Sequence, residues 1–171
     1  IEAAVLLQEY SDIHFVIIGD GSLRDWMMKE VTTHKLSNVH LPGRFPVETM
    51  PGFMQQASVM LVSLASYDPF SLTIPSKIQS YMAAGRPILA SLNGEGSRLV
   101  INSQSGLAAP AEDSRALADS VLALYEMPKI EREKFGINGQ NYFEKHFNHD
   151  NLVDALLDYF QKIVHDKKEF D

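Results

Sequence analysis

Hydrophobic positions recur along the chain in two alternating periods. Ile1, Val5 and Leu6 fall at helical spacing with Ala3 and Ala4 among them, which predicts the tail of a helix over residues 1–10. After Asp12 the run Ile13-His14-Phe15-Val16-Ile17-Ile18 is almost unbroken in β-branched and aromatic side chains, the pattern of a strand covered on both faces. Gly19-Asp20-Gly21-Ser22 stops it, and Ser22 is placed to cap a helix over residues 23–34, where Leu23, Trp26, Met27 and Val31 keep the helical period. The unit then repeats: strand 39–41, a Pro42-Gly43-Arg44-Phe45-Pro46 turn, helix 47–57, strand 59–63. A longer loop over 65–75 leads to a helix through Ala84, which Gly85 closes; Ser76 can cap it, or, with Pro75 at the helix start, Ser76 lies just inside and Thr73 or Ile74 is the capping position. Strand 87–90, the loop Asn93-Gly94-Glu95-Gly96-Ser97, a brief helix 98–102, a weak strand 106–109 and an amphipathic helix 114–125 follow, and residues 130–171 form a helical, increasingly charged end.

Short strands alternating with helices through glycine-bearing strand-to-helix loops predict an α/β fold, a Rossmann-like doubly wound parallel sheet flanked by helices. Ligands of such sheets sit beyond the carboxyl ends of the strands. The candidate site is therefore the set of loops at 19–22, 42–45, 66–76 and 93–97.

Composition narrows the chemistry. The 171 residues suffice for one core, and 15 Lys+Arg against 22 Asp+Glu give a net charge of -7, with no basic run that would suit a nucleic-acid backbone or an anionic membrane. The absence of Cys removes disulfides, thiolate metal sites and thiol nucleophiles. No apolar stretch is long enough for a membrane span and none has the flanks of a signal peptide, which suits a cytoplasmic setting. The chain opens on Ile1 inside a helical pattern, an arrangement expected if sequence precedes it.

Each motif has a functional and a plain reading. Gly19, Gly21 and Ser22 stand between a strand and a helix N-terminus, where amides can face an anion, but they lack the third glycine of a dinucleotide fingerprint and serve equally as a tight turn. Thr73 and Ser76 bring hydroxyls, and Lys77 a cation, to a helix start, where the dipole disfavours a cation unless an anion lies nearby. The plain reading has Lys77 reaching to solvent. Gly85-Arg86-Pro87, at the opposite end of the next strand, reads as structural. Glu95, between Gly94 and Gly96, can accept hydrogen bonds from sugar hydroxyls or simply cap the next helix. His146 and His149 have no third ligand in view, and His14 and His34 read as structural. Glu112, Asp113 and Asp119 suit a helix start and its solvated face; Tyr142, Phe143, Phe147, Tyr159 and Phe160 suit packing.

In this order, Ile17-Ile18-Gly19-Asp20-Gly21, Leu41-Pro42-Gly43-Arg44-Phe45, the block from Pro75-Ser76-Lys77 to Gly85-Arg86-Pro87-Ile88, and Gly106-Leu107 with Pro110-Ala111-Glu112-Asp113 resemble GT-B glycosyltransferases. The closer resemblance is to the C-terminal, donor-binding half of retaining family-four enzymes that build bacterial surface polysaccharides, including the aminofucose-transferring branch. It covers nearly the whole chain, and implies half of a GT-B fold that binds a nucleoside diphosphate sugar, preferably a UDP-sugar, as substrate, with neither metal nor other cofactor.

By position, Gly19, Gly21 and Ser22 would line the nucleotide pocket, Arg44 and Phe45 would meet the base, and Thr73, Ile74 and Ser76 would approach the diphosphate. Lys77 would add charge, Ser80 would meet the ribose, and Gly94 and Glu95 the donor sugar. Two departures stand out. Where many members carry a pair of Glu separated by seven residues, this sequence has Leu72 and Ser80. The family's diphosphate-holding Arg and Lys, and its acceptor domain, would precede Ile1, so a saccharide or lipid-linked acceptor would be held by that other half, peripheral at the inner membrane face, and the fragment alone would not catalyse transfer. A non-catalytic nucleotide- or sugar-binding module and a flavodoxin-like interaction domain are the alternatives.

Overall fold

The computed structural model describes residues 1–168, so the last three positions of the expected helical end lie outside the described residues. The elements run α1 (Glu2–Leu6), β1 (Phe15–Ile18), α2 (Arg24–Thr33), β2 (Val39–Gly43), a 3-10 turn (Val47–Thr49), α3 (Met50–Gln56), β3 (Met60–Ser63), α4 (Asp68–Ser71) and α5 (Ser76–Ala83). They continue with β4 (Ile88–Ser91), α6 (Glu95–Asn102), β5 (Gly106–Ala109), α7 (Ser114–Glu126), α8 (Lys129–His146) and α9 (His149–Lys168). The expected alternation is present, and every strand pair is parallel.

The strands do not form one continuous sheet. β1 pairs with β2, and β3, β4 and β5 pair in that order. β4 is central to the larger sheet and buried at all four residues. Ile88, Ala90 and Leu92 join Val62, Ile78, Tyr81, Met82, Leu99 and Val100 in the main core, while Leu89, of opposite parity, is buried on the other face. Burial pushes the Tyr81 phenol above its usual pKa. Because β3-α5-β4 and β4-α6-β5 step the same way across the sheet, right-handed crossovers put α5 and α6 on one face.

The short helix α1 joins the halves. Ala3 and Leu7 pack with Ile13 and with Ala118 of α7, and Ala4 packs with Leu36 and Val39 beside β2. Helix α7 also lies against β4 and β5. Its start is capped as its sequence suggests, with the Asp113 carboxylate accepting from the Ala116 amide at 2.8 Å.

Several expectations are corrected. β1 is not covered on both faces: Val16 and Ile17, which strand alternation turns to opposite faces, are both exposed, and β1 pairs only with β2. Ser22 does not cap α2; Arg24 donates to the Gly21 carbonyl, that turn delays the helix, and Leu23 takes the cap position without a side-chain bond. Pro75 itself occupies the cap position of α5, so Ser76 is the first helical residue and not its cap, and Thr73 and Ile74 lie outside the helix. Helix α6 starts at Glu95, earlier than expected, so Glu95 lies in its first turn. Tyr142, Phe143 and Phe147 do pack on the core, but Tyr159 and Phe160 are exposed on α9, whose main packing partner among the described residues is α8.

Helix α5 ends in two nested turns, with the Gly85 amide donating to Met82 and the Arg86 amide to Tyr81, and Gly85 takes φ 64° there. Arg86 donates to the Gln55 carbonyl, in keeping with its structural reading. Helix α8 crosses this corner so closely that a Cβ on Gly136 would lie 2.2 Å from the Gly85 carbonyl oxygen. Gly136→Ala is therefore expected to destabilise the chain by about 1–3 kcal/mol, as overpacking does. The urea midpoint should fall, whereas an unchanged midpoint would mean that α8 does not dock here.

Candidate functional site

The carboxyl ends of β1, β2, β3 and β4 carry the four loops expected to form the site, and the backbone ties these loops into two groups. In the first, Gly19 donates to the Gly43 carbonyl at 2.9 Å, linking the loops after β1 and β2. Gly19 and Gly43 take φ values of 141° and 89°, a region that glycine enters freely. Gly21 and Ser22 follow, both exposed, and Asp20 lies 3.7 Å from Arg24. Arg44 and Phe45 stand just past β2 with Pro46, Val47, Glu48 and Met50 around an open depression, where Phe45 meets Phe53 edge-to-face with ring centroids 4.9 Å apart. An exposed aromatic braced in this way is a surface on which a flat base can rest.

The second group gathers the loops after β3 and β4 around the start of α5. A Cβ on Gly94 would lie 1.9 Å from the Ser71 carbonyl oxygen, and one on Gly96 would lie 2.8 Å from Leu92 and 3.1 Å from Pro75. The two glycines thus seat the β4–α6 turn on the α4–α5 segment and bring Glu95 to the entrance of α5. Asn93 extends the tie by accepting from the Ala111 amide at 3.1 Å, past the end of β5.

At that entrance the Ser76 and Lys77 amides are the first of their helix and have no intrahelical acceptor, whereas Ile78 donates to Pro75. Ser76 and Lys77 are exposed, and Lys77 forms no ion pair among the described residues. Thr73 donates its hydroxyl to Phe70 at 3.0 Å, and Ser80, one turn into α5, donates to Ser76 at 3.3 Å; both oxygens can still accept. Ile74 is exposed beside them. Two amides, a cation and three hydroxyls therefore face solvent at one helix end, an arrangement suited to phosphate oxygens.

Glu95 is not free. Its carboxylate accepts from Arg98 at 2.5 Å, a pair one helical turn apart that the sequence reading missed although the i,i+3 spacing was visible. A sugar hydroxyl reaching Glu95 would meet a carboxylate already shared with a guanidinium. No hydrogen bond or ion pair among the described residues joins the Gly19–Phe45 group to the Thr73–Glu95 group. The small cavity between Leu64, Tyr67, Phe70 and Asn93 holds about 30 Å³, room for a water but far below a nucleotide site.

Away from the loops, His40 and His14 approach to 3.1 Å across β2 and the start of β1, a contact between residues too distant in sequence to foresee. His34 ends α2 at 3.4 Å from Glu30. No group of three His, Asp or Glu able to hold a metal occurs among the described residues, and no described helix is long and apolar enough to cross a membrane.

With this geometry in place, comparison with known proteins is direct. The family model described as glycosyl transferases group 1 matches residues 1–127. An uncharacterized glycosyltransferase of Methanocaldococcus jannaschii is 26% identical over 152 residues, 89% of this chain and 41% of that protein. O-antigen chain mannosyltransferase C of Escherichia coli is 25% identical over 161 residues, 93% of this chain and 42% of that protein. The chain thus spans about two-fifths of these relatives' length. Among solved structures, the UDP complex of HepE from Anabaena superimposes with a TM-score of 0.78 at 16% identity, covering 94% of this chain and 44% of that one. That likeness establishes the fold, parallel sheets flanked by helices as in GT-B enzymes.

Gly94→Ala places a methyl against the Ser71 backbone at φ 80°. It is expected to lower thermal stability and to loosen the α4–α5 segment, seen as faster amide exchange at residues 68–77. Unchanged exchange there would show that the glycine contact does not hold the α5 entrance.

Proposed function

Because the chain belongs to the glycosyl transferases group 1 family, we propose that it is the C-terminal, donor-binding domain of a longer hexosyltransferase that takes a nucleoside diphosphate sugar, preferably a UDP-sugar, as donor. The observation that carries the reading is the entrance of α5, where the Ser76 and Lys77 amides lack intrahelical acceptors, Lys77 forms no ion pair among the described residues, and Thr73, Ser76 and Ser80 leave their hydroxyls exposed. These groups would hold the diphosphate and stabilise its charge as the sugar departs, the role of preorganised amides and cations at a developing anion. Support also comes from the likeness to HepE, whose structure contains UDP, and from relatives that act in surface polysaccharide synthesis, such as the O-antigen mannosyltransferase.

In this reading Phe45 and Arg44 receive the base, Gly19, Gly21 and Ser22 border the nucleotide, and Ile74 lines the diphosphate. Gly94 positions Glu95 for the donor sugar, with Arg98 released or retained as a shared partner. The acceptor, a saccharide or lipid-linked saccharide, is held by an N-terminal domain on the cytoplasmic side of the membrane, and the finer branch is the aminofucose-transferring one. Neither metal nor other cofactor is required, because amides and Lys77 take the diphosphate charge. Leu72 is 79% exposed and apolar where many members carry a carboxylate, and this favours a second reading, a domain that binds a nucleotide sugar without turning it over. Turnover by the full-length protein decides between the two.

Calorimetric titration with UDP and GDP tests the site directly. UDP is expected to bind more tightly than GDP, and Lys77→Ala to weaken UDP about three- to tenfold, the modest loss of a solvent-screened cation. Equal UDP affinity in wild type and variant would remove Lys77 from the site, and no UDP binding by the full-length protein at millimolar concentration would refute the donor reading. Glu95→Ala should weaken the UDP-sugar but not UDP; unchanged affinity for both would free Glu95 of any donor role. The 171-residue chain alone should transfer no sugar, and measurable transfer would overturn its assignment as a partial enzyme.

A further inference from the structure

Two histidines that the donor site does not use meet on the open face of the smaller sheet. Phe15 of β1 and Val39 of β2 are neighbours in register and pack toward α1. Strand alternation turns the next pair, Val16 and His40, to the opposite face, where Val16 is 57% exposed. His14, just before β1, reaches the same place: its Nδ1 lies 3.1 Å from Nε2 of His40, and both side chains are exposed. The ring centroids are 5.1 Å apart and the planes are inclined by 43°, so the rings approach through these nitrogens and not face to face. His34 and His146 are engaged differently, the first 3.4 Å from Glu30 and the second against the Tyr142 ring.

Two facing imidazole nitrogens can share a proton or a metal ion. In the neutral pair one nitrogen carries the hydrogen and the other accepts it. Two nitrogens each about 2.0–2.1 Å from one ion, at a near-tetrahedral angle, lie about 3.1–3.4 Å apart. The separation of His14 and His40 falls at the short end of that range, so a small rotation of the rings converts one arrangement into the other. Each ring then carries its hydrogen on the outward nitrogen, Nε2 of His14 and Nδ1 of His40, and both inward lone pairs go to the ion. A neutral pair releases no proton in this step, and the ion gives up two bound waters. The uncovered face leaves the remaining positions to water, since no third His, Asp or Glu joins the pair among the described residues. Imidazole suits Zn²⁺, Cu²⁺ and Ni²⁺, whereas Mg²⁺ and Ca²⁺ prefer oxygen ligands.

The geometry points to a surface site for one late first-row divalent ion, Zn²⁺ or Cu²⁺, held by Nδ1 of His14 and Nε2 of His40 with water completing its shell. The site is separate from the donor loops and stands whether or not the donor reading holds. Its consequence is structural. Among the described residues β1 and β2 form a sheet of only two strands, with an irregular register between Val16 and Ile18, and so small a pair is marginal by itself. The ion ties together positions 26 residues apart in sequence. It closes the amino end of the pair whose carboxyl end carries the Gly19–Gly43 bond, about 10 Å beyond Val16 along the strand. Ion binding thus steadies the first loop group from its far end without entering it.

The test is calorimetric titration of the protein with Zn²⁺ and with Cu²⁺, and with Mg²⁺ as the oxygen-preferring control. His14→Gln and His40→Gln should each weaken Zn²⁺ and Cu²⁺ by about tenfold or more, because each removes one arm of a chelate, whereas His34→Gln should leave both unchanged. Both side chains are exposed, so the variants are expected to keep the fold, which thermal melting followed by circular dichroism checks. Cu²⁺ gives a second readout that needs no variant: its unpaired electron should broaden the NMR signals of residues 14–16 and 38–41 before any others. Bound Zn²⁺ should also slow amide exchange at Phe15 and Gly19, which donate to Asn38 and Gly43, and unchanged exchange there would overturn the steadying effect. The site itself is overturned if neither ion binds at millimolar concentration, if Mg²⁺ competes equally, if either variant binds as the wild type does, or if Cu²⁺ broadens another region first. His14 and His40 would then be a hydrogen-bonded pair only.

Discussion

β4 is buried along its whole length, and the loops, helices and neighbouring strands of the second candidate loop group are placed by what its surroundings can accommodate. A Cβ at Gly106 would lie 1.7 Å from the Ile88 carbonyl oxygen, so β5 can pair at that point only with a glycine. At the other end of β4, the Gly94 and Gly96 turn sits on Ser71 and Pro75 with no room for side chains. Close backbone contact at both ends of one central strand fixes where α5 starts, and hence where its free amides point. The main core reinforces this: Ile78 and Met82 of α5 are fully buried against Ile88 and Ala90, so the helix cannot rotate its entrance away without opening the core.

Electrostatics at the site are local and run against the whole molecule. A net charge of -7 repels an anionic ligand at long range, but the Debye length of about 8 Å at physiological salt limits that penalty. Near the loops, Arg24 and Arg98 are each paired with a carboxylate, at Asp20 and Glu95, and so are partly neutralised in advance. Lys77 and Arg44 have no such partner among the described residues. A Lys in the first turn of a helix is unfavourable by itself, and an anion bound at the amides would turn that cost into an attraction. The residue that looked least suited to its helix position is thus the one most consistent with a ligand there.

Elements with a strong local period were legible from the sequence. The Ser114–Tyr125 pattern reads as α7 almost to the residue, the end of α5 at Gly85 follows from a turn that needs positive φ, and Asp113, one of three carboxylates read as a helix start and its solvated face, is the cap. Starts of helices were harder. The delay of α2 past Ser22 and the early start of α6 at Glu95 depend on single backbone hydrogen bonds that several neighbouring polar residues could have made. The candidate loops were identifiable because strand-to-helix loops of a parallel sheet share one end, and the Glu95–Arg98 pair follows from a local i,i+3 spacing, but the seating of Gly94 on Ser71 was not legible, since it requires knowing which backbone comes close.

By itself, the sequence determined the alternation of strands and helices and the parallel α/β architecture, because these follow from periodicity and turn chemistry among residues close along the chain; the short helix α4, inside the expected loop 65–75, was not among them. Tertiary structure alone decided which edges pair, which apolar side chains are covered and which charges are already engaged. Val16 and Ile88 show the difference: both lie in apolar runs of similar character, yet Val16 is exposed on an unpaired edge strand and Ile88 is fully buried in a central one. A strand's own residues encode its tendency to extend, whereas its burial is set by partners brought in from distant parts of the polypeptide.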